Sequence, residues 1–188
     1  MASRANTLPG YFGQVLDIDL GGEHAARELP PTQLRNYIGG CGLGTRLLHD
    51  HAPPGVDALA PAAPVVFGFS PLVGTPLTTS AKFAIVAKSP LTGFVNDAMC
   101  SSHFAIAGKL SGHDAIVVRG ACDAPSVVVI DGTGVRVEPA GELARGGGAG
   151  RRAADVGARP RDLVHAQQRV VQKDRGHARR RPTAPIMT

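Results

Sequence analysis

The sequence predicts an α+β fold, a sheet-rich domain of mixed strands with short connecting helices. Two observations carry that expectation. Short apolar runs of strand length, rich in Val and Ile, recur from residue 13 to residue 138. Helical periodicity is confined to brief stretches between them, in an alternation too irregular for a doubly wound sheet. A third observation bounds the domain. Near residue 141 the composition turns to Gly, Ala and Arg, with no aromatic residue beyond it.

Taken in order, residues 1–9 read as a flexible N-terminus. Residues 13–20 (GQVLDIDL) alternate Leu16, Ile18 and Leu20 against Asp17 and Asp19, the period of a half-buried strand. Gly21-Gly22 supplies a permissive turn, and residues 23–29 can return as a partner strand. Pro30-Pro31 ends it, and Thr32 is positioned to cap a short helix carrying Leu34, Tyr37 and Ile38. The run Gly39-Gly40-Cys41-Gly42-Leu43-Gly44 lacks G-x-G-x-x-G spacing and follows a helix, which argues against a dinucleotide loop. It reads instead as a break between helical pieces where backbones approach closely. Leu43, Leu47 and Leu48 line one face of the second piece, and residues 52–55 (APPG) stop it.

The chain is organised around residues 65–120. Apolar runs at 65–69, 83–87 and 115–118 have strand composition. Two near-copies of one turn, Ser70-Pro71-Leu72-Val73-Gly74 and Ser89-Pro90-Leu91-Thr92-Gly93, punctuate them. A small, polar segment at 96–102 then leads into an expected helix at 104–110. Residues 126–131 and 135–138 flank Gly132-Thr133-Gly134 as a hairpin with a three-residue turn.

Charge divides the chain. Residues 1–140 carry nine Lys/Arg against eleven Asp/Glu, a net of −2, whereas residues 141–188 carry eleven against four, a net of +7. The basic balance belongs to the tail. Two readings of residues 141–188 compete: a basic tail for nucleic acid or an acidic partner, and an out-of-frame reading of a GC-rich gene, disordered as a polypeptide. We favour the second, because no aromatic interleaving or nucleic-acid motif supports the first. Three cysteines without a CxxC pair argue against a disulfide framework, and no run approaches membrane-spanning length. A soluble protein of the cytoplasm is the expectation.

The densest chemical cluster is Asp97-Ala98-Met99-Cys100-Ser101-Ser102-His103. Cys100 and His103 have metal-like spacing, but no second pair completes four ligands. They could also meet as a nucleophile pair on one helical turn, though no orienting third group is readable. A helix start with a small buried Cys is the plainer reading. Anion binding is better grounded. Ser101 or Ser102 can cap the helix at 104–110, whose free N–H groups favour phosphate, and Lys82 could add charge to the same ligand.

The segments GQVLDIDLGGE, YIGGCGLGTRLL, PPGVDALAPAAPVVFGFSPLVGTP, AIVAKSPLTGF and GHDAIVVRG, in that order, resemble the N-terminal domain of the aldehyde ferredoxin oxidoreductases over roughly residues 10–140. The resemblance implies an α+β base for a tungsten or molybdenum bis-pterin cofactor. The family's enzymes oxidise aldehydes to carboxylates and pass electrons through a [4Fe–4S] cluster to ferredoxin. By resemblance the pterin-contacting basic residue is Lys82, where an Arg is usual. Positions usually Asn-Ser-Gly-Gly are Met99, Cys100, Ser101 and Ser102. Met99 would offer its backbone carbonyl to a magnesium ion joining the two pterins, and Cys100 and Ser101 would be further cofactor contacts. No acid, base or nucleophile is implied among them. Cys41 stands where the family generally has Arg. The later glycine-rich segment, the cluster cysteines and the two helical domains find no counterpart here. The sequence thus reads as an incomplete, truncated or frameshifted N-terminal fragment. Its alternative is a non-catalytic binding module with a basic tail.

Overall fold

A computed structural model describes residues 8–141. Eleven elements follow one another: β1 (Gln14–Asp19), β2 (His24–Glu28), α1 (Pro31–Tyr37), α2 (Gly40–His51), β3 (Val65–Phe69), β4 (Lys82–Lys88), β5 (Val95–Ser101), α3 (His103–Leu110), β6 (Ala115–Arg119), β7 (Ser126–Asp131) and β8 (Gly134–Pro139). The fold is α+β, as expected. Six strands form one sheet in the order β2-β1-β6-β3-β4-β5, and β7-β8 form a separate hairpin. Only β1 and β6 run parallel within the sheet.

Strand alternation builds two cores from this one sheet. Val15, Val66, Ala84, Val86, Ala115 and Val117 face Leu34 of α1 and Leu43, Leu47 and Leu48 of α2. Leu16, Ile18, Phe69, Phe83, Ile116 and Val118 face the other way, against α3 and the β7-β8 hairpin with Val128 and Ile130. Four phenylalanines, Phe67, Phe69, Phe83 and Phe104, cluster on this second face with ring centroids 4.7 to 6.5 Å apart. Phe104 brings the first turn of α3 into the group, packing that helix onto this face of the sheet.

The expected turns form. Val73 N–H donates to Ser70 O and Gly93 N–H to Ser89 O, with Gly74 and Gly93 at φ +83° and +74°. The glycine run is indeed a helix-to-helix break. Ile38 and Gly39 adopt positive φ, and the Gly40 backbone lies against Gly68 of β3 so closely that a Cβ at 68 would collide with Gly40 O. Three expectations need correction. Thr32 does not cap α1; Pro30, preset at φ −59°, occupies the N-cap and makes no side-chain cap bond. The β7-β8 turn has two residues, Gly132-Thr133, because Gly134 pairs with Asp131. Residues 96–101 belong to a strand, not to a helix start around Cys100, because β4 offers them a continuous antiparallel ladder.

A charged clasp ties the end of α2 to the sheet. His51 Nδ1 donates to Leu47 O, and Nε2 lies 2.9 Å from Asp17 Oδ1, while Arg27 Nε donates to Asp17 Oδ2 at 3.2 Å. The Asp17 carboxylate raises the pKa of His51 above its ordinary 6.5, against the opposing effect of burial. Burial alone would raise Asp17, but His51 and Arg27 outweigh it and lower its pKa. A raised histidine contributes stability that is complete below about pH 6.5 and lost as pH climbs through its folded value. Urea midpoints from pH 6 to pH 8 are therefore expected to fall in the wild type and to fall less in His51→Gln. Equal slopes would show that His51 is not the group responsible.

Candidate cofactor-binding edge

The residues singled out in the sequence meet where β4 begins and β5 ends. Lys82 pairs with Ser101, Phe83 with Cys100 and Ala84 with Met99 across the antiparallel ladder. Directly paired residues project to the same face, so Lys82, Met99 and Ser101 share the α2 side of the sheet. Lys82 Nζ donates to Ser101 Oγ at 2.9 Å, which holds the ammonium beside the end of β5. Met99 is 66% exposed. Cys100 points the opposite way, half-buried against the phenylalanine cluster. Strand parity therefore separates it from the other three, and from a paired role with His103, which begins α3. Among the described residues, no group of three or more His, Cys, Asp or Glu side chains is arranged to hold a metal ion.

Backbone phase matters more here than side chains. Ser89 N–H donates to Phe94 O, and Ser102 N–H donates to Ala81 O. In an antiparallel ladder the residues bonded to a given neighbour alternate, so the even-numbered residues of β5 bond β4. Val95, Asp97, Met99 and Ser101 consequently turn their N–H and C=O groups outward from the sheet edge. The Met99 carbonyl is thus directed away from the protein's own ladder, next to the Lys82–Ser101 pair.

Two helices begin near this edge. Ser102, with extended φ and ψ, caps α3 through a 3.1 Å bond accepted from Phe104 N–H, so Ser102 is the capping serine and Ser101 is the partner of Lys82. α2 starts over Gly68, in the same cross-strand row as Ala84 and Met99. Its N-cap is Gly39, with no side-chain cap, which leaves the first N–H groups of Gly40, Cys41 and Gly42 available to a ligand. Sequence reading missed this contribution. The signal was the glycine run itself, uncapped at a helix start, once freed from the dinucleotide pattern.

Cys41 reaches from α2 to β5, its thiol donating to Asp97 Oδ2 at 3.1 Å. Burial, reinforced by the neighbouring carboxylate, raises the Cys41 pKa, so the group acts as a neutral thiol donor. An open cavity of about 520 Å³ lies beside it, lined by Tyr37, Cys41, Gly42, Thr45, Arg46 and His49. It adjoins the first turn of α2 but is not lined by Lys82, Met99 or Ser101. No helix among the described residues is long and apolar enough to cross a membrane.

Residues 15–155 match the family model described as aldehyde ferredoxin oxidoreductase, N-terminal domain. A tungsten-containing aldehyde ferredoxin oxidoreductase of Pyrococcus furiosus is 30% identical over 135 residues, and that of Thermococcus kodakarensis is 32% identical over the same length. Each alignment covers 71% of this chain and 22% of the relative, so the chain spans about a fifth of their length. Among solved structures, the active site complex BamBC of benzoyl coenzyme A reductase aligns with a TM-score of 0.67 at 28% identity, over 71% of this chain and 21% of that one. The chain belongs to the aldehyde ferredoxin oxidoreductase family, matching it through the N-terminal domain.

Proposed function

We propose that this chain holds a tungsten or molybdenum pterin cofactor as the N-terminal part of an enzyme that oxidises aldehydes to carboxylates. The observation that carries the reading is the juxtaposition, at one sheet edge, of an outward Met99 carbonyl with a lysine held in place by Ser101. The donor set suits such a group. A phosphate-bearing cofactor needs a cation and free N–H groups, which Lys82 and the start of α2 supply. A bridging magnesium ion favours oxygen ligands, which the Met99 carbonyl supplies. Lys82 serves as a point charge rather than as the planar fork an Arg would bring, so it attracts a phosphate without fixing its orientation. Cys100 contributes through packing beneath the edge, with its thiol on the opposite face.

When bound, the metal–pterin group supplies the redox chemistry; the protein binds and orients it. A [4Fe–4S] cluster takes four thiolates, and this chain has three cysteines, so cluster and ferredoxin contact would come from other parts of the enzyme. The aldehyde-binding walls would come from there too. The alternative role as a nucleic-acid or acidic-partner module rests on residues 141–188, which beyond Gly141 lie outside the described residues. No feature of the described domain favours it.

The test is cofactor retention by the full chain produced with tungstate and an intact pterin pathway, read by pterin fluorescence after oxidation and by metal analysis. Lys82→Ala is expected to lower retained pterin about tenfold, the scale of one charge-assisted contact. Wild-type retention no greater than that of a folded Lys82→Ala, Ser101→Ala double variant would overturn the reading.

A further inference from the structure

We propose that Cys41 is a positioning residue for the cofactor edge: from α2 it holds β5 at Asp97 and so fixes the direction of the Met99 carbonyl. The inference rests on the cofactor reading given above. Beyond its ladder with β4, little holds β5 in place. Its residues are exposed except for the half-buried Cys100, and no strand flanks its outer side among the described residues. A strand with so few buried contacts opens locally more readily than a central one. Among the described residues, two side-chain hydrogen bonds reach β5 from other elements. Lys82 Nζ of β4 donates to Ser101 Oγ at 2.9 Å, and Cys41 Sγ of α2 donates to Asp97 Oδ2 at 3.1 Å. Asp97, Met99 and Ser101 alternate along one face of the strand, so the two contacts bracket Met99 on either side.

The anchor is firm because α2 is seated closely where it starts. The Gly40 backbone lies against Gly68 of β3, and a Cβ at Gly44 would come within 2.6 Å of Val86 Cγ2 of β4. Gly40 and Gly44 are about one helical turn apart, so the sheet grips successive turns of the helix. Val86 pairs with Asp97, which puts the Gly44 contact and the Cys41 contact on one cross-strand row. Cys41 thus carries the seat of α2 on β4 to the next strand outward. Its chemistry suits the task. Burial and the neighbouring carboxylate favour the neutral thiol, which keeps its proton to donate. The same bond draws the Asp97 carboxylate toward α2, where it repels a phosphate-bearing ligand beside Met99 less than a free carboxylate would.

Two measurements on the full chain test the role, using Cys41→Ala and Cys41→Ser. Thr45→Ala is the control, since Thr45 lines the same cavity one turn further along α2 and makes no hydrogen bond to β5. Amide hydrogen exchange at Ala98 and Cys100, whose N–H groups bond β4, reads opening of the strand with no cofactor present. Cys41→Ala is expected to speed exchange at both amides at least about threefold, with Cys41→Ser and Thr45→Ala close to wild type. The second measurement is pterin retained by chain produced with tungstate and an intact pterin pathway. Retention is expected to fall about threefold in Cys41→Ala and to recover in Cys41→Ser, whose hydroxyl donates to the same carboxylate. Unchanged exchange in Cys41→Ala, no recovery in Cys41→Ser, or an equal loss in Thr45→Ala would each overturn the proposal. Retention that Cys41→Ala leaves at the wild-type level would overturn this proposal alone. A wild type that retains no pterin would overturn the cofactor reading, and this role with it.

Discussion

Asp114→Ala is expected to destabilise the domain by about 3–5 kcal/mol, the cost of leaving a buried charge without its partner. Asp114 is fully buried at the start of β6 and Lys109, near the end of α3, is 3% exposed. Lys109 Nζ donates to Asp114 Oδ1 at 2.5 Å, Phe12 N–H to the same oxygen at 3.2 Å and Gly13 N–H to Oδ2 at 2.7 Å. One carboxylate thereby joins the end of α3 to the chain entering β1, while the rings of Tyr11 and Phe12 cover the ammonium at 5.4 Å. Removing the carboxylate strands the lysine and two N–H donors together. Lys109→Met is expected to cost less, since Phe12 and Gly13 still satisfy the carboxylate and the methionine fills the stem's volume. Denaturant unfolding of the two variants checks the order. Equal losses would mean that the backbone donors contribute nothing separable.

Gly68→Ala is the second large effect, expected to cost about 1–3 kcal/mol as an overpacked contact, toward the upper end because the obstacle is backbone. The new methyl would meet Gly40 O, and no rotamer change relieves a clash with a main-chain oxygen. α2 would have to lift from β3 at its first turn, next to the row holding Ala84 and Met99. Gly132→Ala is the control, because a Cβ there meets nothing within 4 Å and φ is not positive. It is expected to stay within about 0.5 kcal/mol of wild type. Thermal and urea midpoints measure both; a Gly68→Ala midpoint equal to that of Gly132→Ala would show that α2 shifts without cost.

What could be read from the sequence followed from periodicity. β1, β3 and β6 show it plainly, because β1 alternates against one buried face and β3 and β6 are Val- and Ile-rich runs at the centre of the sheet. β5 shows none. Its sequence, VNDAMCS, lacks any alternation, since only Cys100 packs into a core, so the strand exists by courtesy of the ladder with β4. The Lys82–Ser101 contact was legible as two candidate residues but not as a pair, because a 19-residue separation reveals nothing until register is known. The Lys109–Asp114 pair escaped notice for the opposite reason. Five residues apart across a helix end, it looks like two ordinary surface charges, and only the arrival of Phe12 and Gly13 from a hundred residues away buries it. Orphan N–H groups at α2 were similarly hidden, since an uncapped helix start is defined by what fails to cap it.

The parallel seam between β1 and β6 has a consequence for the order of events during synthesis. Val15 finds its partner Ala115 a hundred residues later in the chain. At about 5–20 residues per second, the β1-β2 hairpin waits on the order of 5–20 s before the strand that anchors it has been made. Closing so long a loop carries an entropic penalty that local pairs escape, which makes this step the natural bottleneck of folding. Until it is passed, Leu16 and Ile18 lack the neighbours Ile116 and Val118 that complete their side of the core.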